Sequence, residues 1–123
     1  MSESSAAPAR SIRMLFRIGW WTLLVLFALF AVNHGAGVWL IAESTDESQM
    51  FELFAVLNLF ALVVLLIPYR RLEGWAWWAM WIAILPVGLV MAFGADVIGV
   101  IYLVTAIVLA LAQLATLPRF LSE

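Results

Sequence analysis

The chain is expected to be all-α: an integral membrane four-helix bundle of antiparallel, up-down topology. Three observations lead there. Hydrophobic residues make up 67% of the chain and charged residues only 11%; four apolar stretches are each long enough to cross a bilayer; and every arginine falls on one side of them. A soluble domain is about half apolar and a quarter charged, and one small core in 123 residues cannot enclose this much apolar side chain. The surplus is expected to face lipid.

Residues 1–10 (MSESSAAPAR) are small and polar and read as a disordered cytoplasmic tail. The transmembrane domain is expected over 11–121. A helix needs about 20 apolar residues to cross a hydrocarbon core of roughly 30 Å, and stretches 18–42, 50–68, 75–93 and 97–117 meet that length. None alternates in the manner of a barrel strand, so helices are the structure that satisfies their backbone groups in lipid. The first run follows Arg10, Arg13 and Arg17, as the apolar part of a secretory signal would. It continues far beyond the roughly 7–15 residues of such a segment and is expected to stay in the membrane as an anchor.

Short connections make sequential helices antiparallel neighbours. Residues 43–49 (ESTDESQ) form a polar turn in which Asp46 and Gln49 have the spacing of a capping box for the second helix. Residues 69–74 (YRRLEG) follow Pro68, a suitable helix end, and Glu73 is expected to pair with Arg70 or Arg71. The last turn is Gly94, Ala95 and Asp96, with Asp96 placed as N-cap of the fourth helix.

Orientation follows from the six arginines. Arg10, Arg13 and Arg17 precede the first span, Arg70 and Arg71 lie between the second and third, and Arg119 follows the fourth. Glu43, Asp46, Glu47, Glu52 and Asp96 occupy the other side, which has no positive residue. By the positive-inside rule the basic side is cytoplasmic, with both termini there. Trp20, Trp21, Trp75, Trp77, Trp78 and Trp81 crowd that same side and Trp39 marks the other; headgroup anchoring accounts for them, with a stacking platform for a ligand as the alternative.

The segment Arg70-Arg71-Leu72-Glu73-Gly74-Trp75-Ala76-Trp77-Trp78-Ala79 resembles one found in small uncharacterised four-helix membrane proteins of bacteria. There a basic turn with an acidic residue runs into a Trp/Ala-rich third helix. The resemblance implies a multi-pass protein of the bacterial inner membrane and no particular chemistry. Small multidrug exporters share the length and helix count, but they carry a membrane-embedded carboxylate in the first helix. This first span has none, which argues against proton-coupled export of cations.

Polar residues inside a bilayer are costly and point to function. Counted from the outer helix ends, His34, Asn58, Thr105 and Pro86 all fall about 12–14 Å deep at 1.5 Å per residue, so each helix contributes one polar or helix-disturbing position to a midplane layer. Asn33 lies beside His34, and Tyr102, Thr105, Gln113 and Thr116 share one face of the fourth helix at 100° per residue. Pro86 frees a carbonyl that Tyr102 or Thr105 is placed to meet. Gly35, Ala36 and Gly37 leave room for a neighbouring backbone to approach. Glu52 either reaches the outer headgroups or turns inward to His34 or Tyr102.

The candidate ligand-binding residues are therefore Asn33, His34, Glu52, Asn58, Tyr102 and Thr105. Two readings stay open for them: hydrogen-bonding glue between helices, or the wall of a small cavity with His34 as its titratable or ligand-contacting group. A lone histidine without cysteines is too few donors for a metal or haem within one chain, and no catalytic constellation or cofactor motif is visible. The net charge of −2 and the placement of the arginines argue against nucleic acid. The chain is thus expected to be a non-enzymatic structural or accessory membrane subunit, partnered by the bilayer and by a second copy or another membrane protein. The alternative is a small transporter or binding protein for an apolar or weakly polar ligand.

Overall fold

The computed structural model describes residues 6–94 and 96–123. Four α-helices follow one another: α1 (Ala6–Leu40), α2 (Thr45–Leu66), α3 (Gly74–Leu89) and α4 (Val97–Leu121), with a 3₁₀ turn (Val90–Phe93) closing α3. All four are long and apolar enough to cross a membrane, counting the 3₁₀ turn as part of the third. The tail expected at 1–10 is corrected in part: α1 already begins at Ala6, because alanine propagates a helix and Pro8 falls in the first turn, where no intrahelical N–H bond is lost. Residues 1–5 lie outside the described residues.

The helices form a four-membered ring. α1 packs between α2 and α4, and α3 closes the ring against α4 and, through a thinner seam, against α2. Contacts at opposite ends fix the directions. Gly37 meets Phe51 and Trp20 meets Leu65, so α2 runs back along α1; Gly19 meets Ala112 and His34 meets Tyr102, so α4 also opposes α1; Gly88 meets Ala106 and Trp77 meets Gln113, so α3 opposes α4. The arginines of 10–17, 70–71 and 119 consequently gather at one end, and Glu43, Asp46, Glu47 and Asp96 at the other.

Helix ends follow from local chemistry. At α2 the cap is two residues earlier than the Asp46–Gln49 pair suggests. Ser44 is the N-cap and its hydroxyl accepts from Glu47 N at 3.2 Å, while Glu47 Oε2 accepts from Glu43 N at 2.8 Å; a hydroxyl and a carboxylate three residues apart fill the same roles. Asp96 caps α4 as its position implies, its Oδ1 accepting from Gly99 N at 2.8 Å.

Between α2 and α3 the chain makes a Schellman closure, with Glu73 N donating to Pro68 O and Leu72 N to Tyr69 O. The left-handed position that glycine usually fills is held by Leu72 at φ 59°. Glu73 does not pair with Arg70 or Arg71; its carboxylate accepts from Trp75 Nε1 at 2.7 Å, and the one ion pair among the described residues is Arg119 to Glu123. Arg70 instead lies over the Trp20 ring.

The packed core belongs to the half of the bundle nearest this turn. Leu23 and Phe27 of α1, Ala61 and Leu65 of α2, Met80 and Ala83 of α3 and Leu109 of α4 are fully enclosed. Small residues set the spacing: a Cβ on Gly19 would stand 2.5 Å from Ala112 O, so α1 and α4 touch backbone to backbone there. Gly37 is filled by the Phe51 ring rather than by a backbone, and nothing lies near Gly35.

Gly19→Ala is therefore expected to lower unfolding stability by about 1–3 kcal/mol, since Ala112 O cannot swing aside. Gly35→Ala, which adds a methyl to open space inside a helix, is expected to be neutral or to gain about 0.5–1 kcal/mol. Thermal or denaturant unfolding in a fixed detergent checks both, and equal effects at the two sites would contradict the packing described.

Candidate functional site

Three polar side chains from three helices meet in the half of the bundle away from the α2–α3 turn. His34 sits on the inward face of α1 one turn after Phe30, Asn58 on α2 one turn after Phe54, and Tyr102 one turn after Ile98 on α4. His34 and Asn58 are 3% and 2% exposed, so their polar atoms need partners inside the protein. Asn58 Nδ2 lies 2.7 Å from His34 Nδ1, and His34 Nε2 lies 2.8 Å from Tyr102 Oη.

An amide nitrogen only donates, so in this arrangement Nδ1 accepts, the imidazole is neutral with its proton on Nε2, and Nε2 donates to the phenol. Turning the Asn58 amide over presents Oδ1 to Nδ1 and reverses donor and acceptor along the whole chain. The heavy atoms stay where they are. In the first form the Tyr102 proton is left over; in the second it is given to His34. Aromatic rings hold the group in place: Phe54 stacks on the imidazole at 5.1 Å between centroids, and Phe30 stacks on Tyr102 at 5.6 Å and 12°.

Beside this chain is a cavity of about 590 Å³. Phe51 and Phe54 of α2, Pro86 and Leu89 of α3, and Ile98 of α4 supply its apolar wall, while His34 and Tyr102 supply its polar position. It lies along the α2–α3 seam, where the two helices pack most loosely. α3 is also the helix that changes to a 3₁₀ turn one turn beyond Pro86.

A second polar group ties the other half. Gln113 and Thr116 on α4 are fully buried, as is Tyr69 at the end of α2. Tyr69 Oη donates to Gln113 Oε1 at 2.9 Å and also contacts Thr116 Oγ1, which in turn donates to Gln113 O at 2.7 Å. Gln113 Nε2 donates to Trp77 O at 2.6 Å, and Trp77 Nε1 returns a bond to Gln113 O at 3.1 Å. Trp20 Nε1 adds a bond from α1 to Leu65 O. Phe16 and Phe120 cover the Tyr69 ring. Burial pushes the Tyr69 phenol well above its ordinary value, and the bond with Thr116 offsets this in part.

Of the residues expected at the candidate site, His34, Asn58 and Tyr102 come together. The others do not. Asn33 is exposed, being turned 100° from His34. Glu52 is exposed on α2 and makes no bond with His34 or Tyr102. Thr105 donates to Ile101 O on its own helix at 2.8 Å; a short hydroxyl in a helix reaches its own turn more easily than a neighbour. Neither Thr105 nor Tyr102 serves the carbonyl freed by Pro86.

Tyr69 lies in the turn after α2, as the sequence implies, but nothing there points to its inward partners, and Trp77 reads as a headgroup anchor, so their part in the second group is missed from sequence. The available signal was Gln113, a long amide inside an apolar helix whose two ends both need partners. Among the described residues no group of three or more acidic or histidine side chains could hold a metal ion. No protein-family model matches the chain, and no curated protein or solved structure is significantly similar to it.

Gln113→Leu removes partners from both Tyr69 and Trp77 O and is expected to cost about 1–3 kcal/mol, whereas Tyr69→Phe removes only a hydroxyl and is expected to cost about 0.6–1.7 kcal/mol. Unfolding free energies in detergent check the order; a costlier Tyr69→Phe would contradict the network. The folded state holds the Tyr69 proton more tightly than the unfolded chain. Its contribution is therefore complete below about pH 10 and declines as pH rises past that point, and Tyr69→Phe is expected to flatten this alkaline decline.

Proposed function

We propose that the chain is a multi-pass protein of the bacterial inner membrane, with both termini cytoplasmic, that binds a small, mostly apolar molecule in the cavity beside His34 and Tyr102. The cavity carries the reading. Its volume of about 590 Å³ falls within the roughly 300–1,000 Å³ of small-molecule sites, and a mainly apolar wall with one placed polar position is their usual make-up.

The space opens at one side past the exposed Met50, Leu89 and Ile98, so an apolar molecule can enter it from the surrounding lipid. The same polar chain without a cavity would serve as glue; beside a cavity it is also a recognition surface. This favours a binding or transport protein over an accessory subunit.

The membrane setting is supported by the exposed apolar faces of all four helices, among them Leu29, Val32, Leu53, Val56, Ile82, Leu85, Val104 and Leu111. Placement of the arginines supports the orientation. The likeness of the Arg70–Ala79 segment to small bacterial membrane proteins supports the compartment.

The chain has no cysteine, so single-cysteine variants report topology without background. Ser44→Cys is expected to react with a membrane-impermeant maleimide in intact cells and Ser122→Cys only after lysis; the reverse pattern would contradict the orientation. For the cavity, native mass spectrometry from mild detergent is expected to show a co-purifying molecule that is lost when Ile98→Trp fills the space. Identical spectra for the two proteins would contradict the binding reading.

A further inference from the structure

Resting on that reading, we infer that the cavity takes a lipid-soluble quinone and its quinol: a neutral planar ring bearing oxygen, with an apolar tail. Four features of the site select this class.

The first is charge. No carboxylate, lysine or arginine lines the cavity, and the His34 imidazole that does is neutral in both hydrogen-bond arrangements of the Asn58–His34–Tyr102 chain. An ionised headgroup would be desolvated there without a counter-charge.

The second is the polarity of the one hydrogen-bonding position. When His34 Nε2 donates to Tyr102 Oη, the phenol proton has no acceptor among the described residues and is available to a ligand carbonyl. When the Asn58 amide is turned over, Tyr102 gives its proton to Nε2 and its oxygen accepts from a ligand hydroxyl. A single side chain therefore serves a carbonyl in one state and a hydroxyl in the other. Quinone and quinol are a lipid-soluble pair that presents those two groups on one planar skeleton.

The third is shape. The Phe54 ring lies stacked against His34 at 5.1 Å, and Phe51 also lines the cavity beside it. Flat aromatic surfaces favour a planar ring by offset stacking. The fourth is the rim. Met50, Leu89 and Ile98 are apolar and exposed at the cavity's edge, along the loose seam between α2 and α3. A tail leaving between those helices would pass directly into hydrocarbon.

His34 is the only histidine, so protein labelled with ¹⁵N-histidine gives one imidazole to observe. The protein in lipid nanodiscs would be titrated with a benzoquinone carrying a ten-carbon alkyl tail, with its quinol, and with decylbenzene. The quinone is expected to bind saturably and hold the imidazole in its Nε2–H form, and the quinol to move it toward Nδ1–H. Decylbenzene is expected neither to alter the tautomer nor to displace either. Tyr102→Phe is expected to weaken quinone and quinol binding about tenfold, the effect of one lost hydrogen bond.

Decylbenzene binding as tightly as the quinone, with no response at the imidazole, would overturn this assignment and leave a cavity for plain hydrocarbon. Failure of all three probes to bind saturably would overturn the assignment and the binding function together. If Tyr102→Phe does not fold, the tautomer response of the unaltered protein decides between these outcomes.

Discussion

A helix that is apolar on every side has no hydrophobic reason to turn one face rather than another toward its neighbours, and the rest of this structure depends on how that ambiguity is resolved. In hydrocarbon the outward leucines and isoleucines are as well solvated as buried ones. What distinguishes the inward faces is polar pairing and close contact. Asn58, His34 and Tyr102 join α2, α1 and α4 at one level; Tyr69, Trp77, Gln113 and Thr116 join the end of α2, α3 and α4 at another. Every buried side-chain nitrogen and oxygen among the described residues has a partner, so each group acts as a register pin that a rotated helix would break.

The two groups differ in what surrounds them. Around Tyr69 and Gln113 the helices are close, Gly19 lets α1 touch α4, and fully enclosed side chains fill the interior. Around His34 the ring of helices opens along the α2–α3 seam and leaves a cavity. A tight half and a hollow half in one small bundle amount to a clamp with a socket. The tight half fixes the helix axes, which in turn hold the polar chain of the hollow half in place with two bonds of 2.7 and 2.8 Å.

Much of the fold could be read from the chain because the deciding quantities are one-dimensional. Apolar run length gave four helices in the right places, and turn chemistry gave the cap at Asp96. What failed were questions of helical phase and of turn geometry. Depth counting put Thr105 in the polar layer, but depth says nothing of reach; its hydroxyl closes on Ile101 O while the longer Tyr102, one turn earlier, crosses to His34. Glu52 sits six residues before Asn58, about 120° around the helix at 100° per residue, and so faces outward. Asn33 fails for the same reason.

Tyr69 was hidden for a different reason. It lies in the turn after α2, where the helix ends at Ile67 and Tyr69 N bonds back to Val64 O, and the closing left-handed residue there, Leu72, carries none of the usual glycine signal. Ala6–Arg10 looked like a tail from composition, yet alanine and a first-turn proline are both compatible with a helix. A cavity beside His34 was one of two open readings of the polar layer, but its apolar wall and its place along the α2–α3 seam were not legible, since they depend on how far apart two helices lie.

His34 is held between Asn58 and Tyr102, and this chain of bonds helps fix the helices. A double-mutant cycle tests it most directly, combining Asn58→Leu and Tyr102→Phe with each single change in a protein unfolded reversibly from bilayers. Both residues act on the same imidazole, so a coupling energy of about 0.6–1.7 kcal/mol is expected. Strictly additive losses, with no coupling between the two positions, would contradict it.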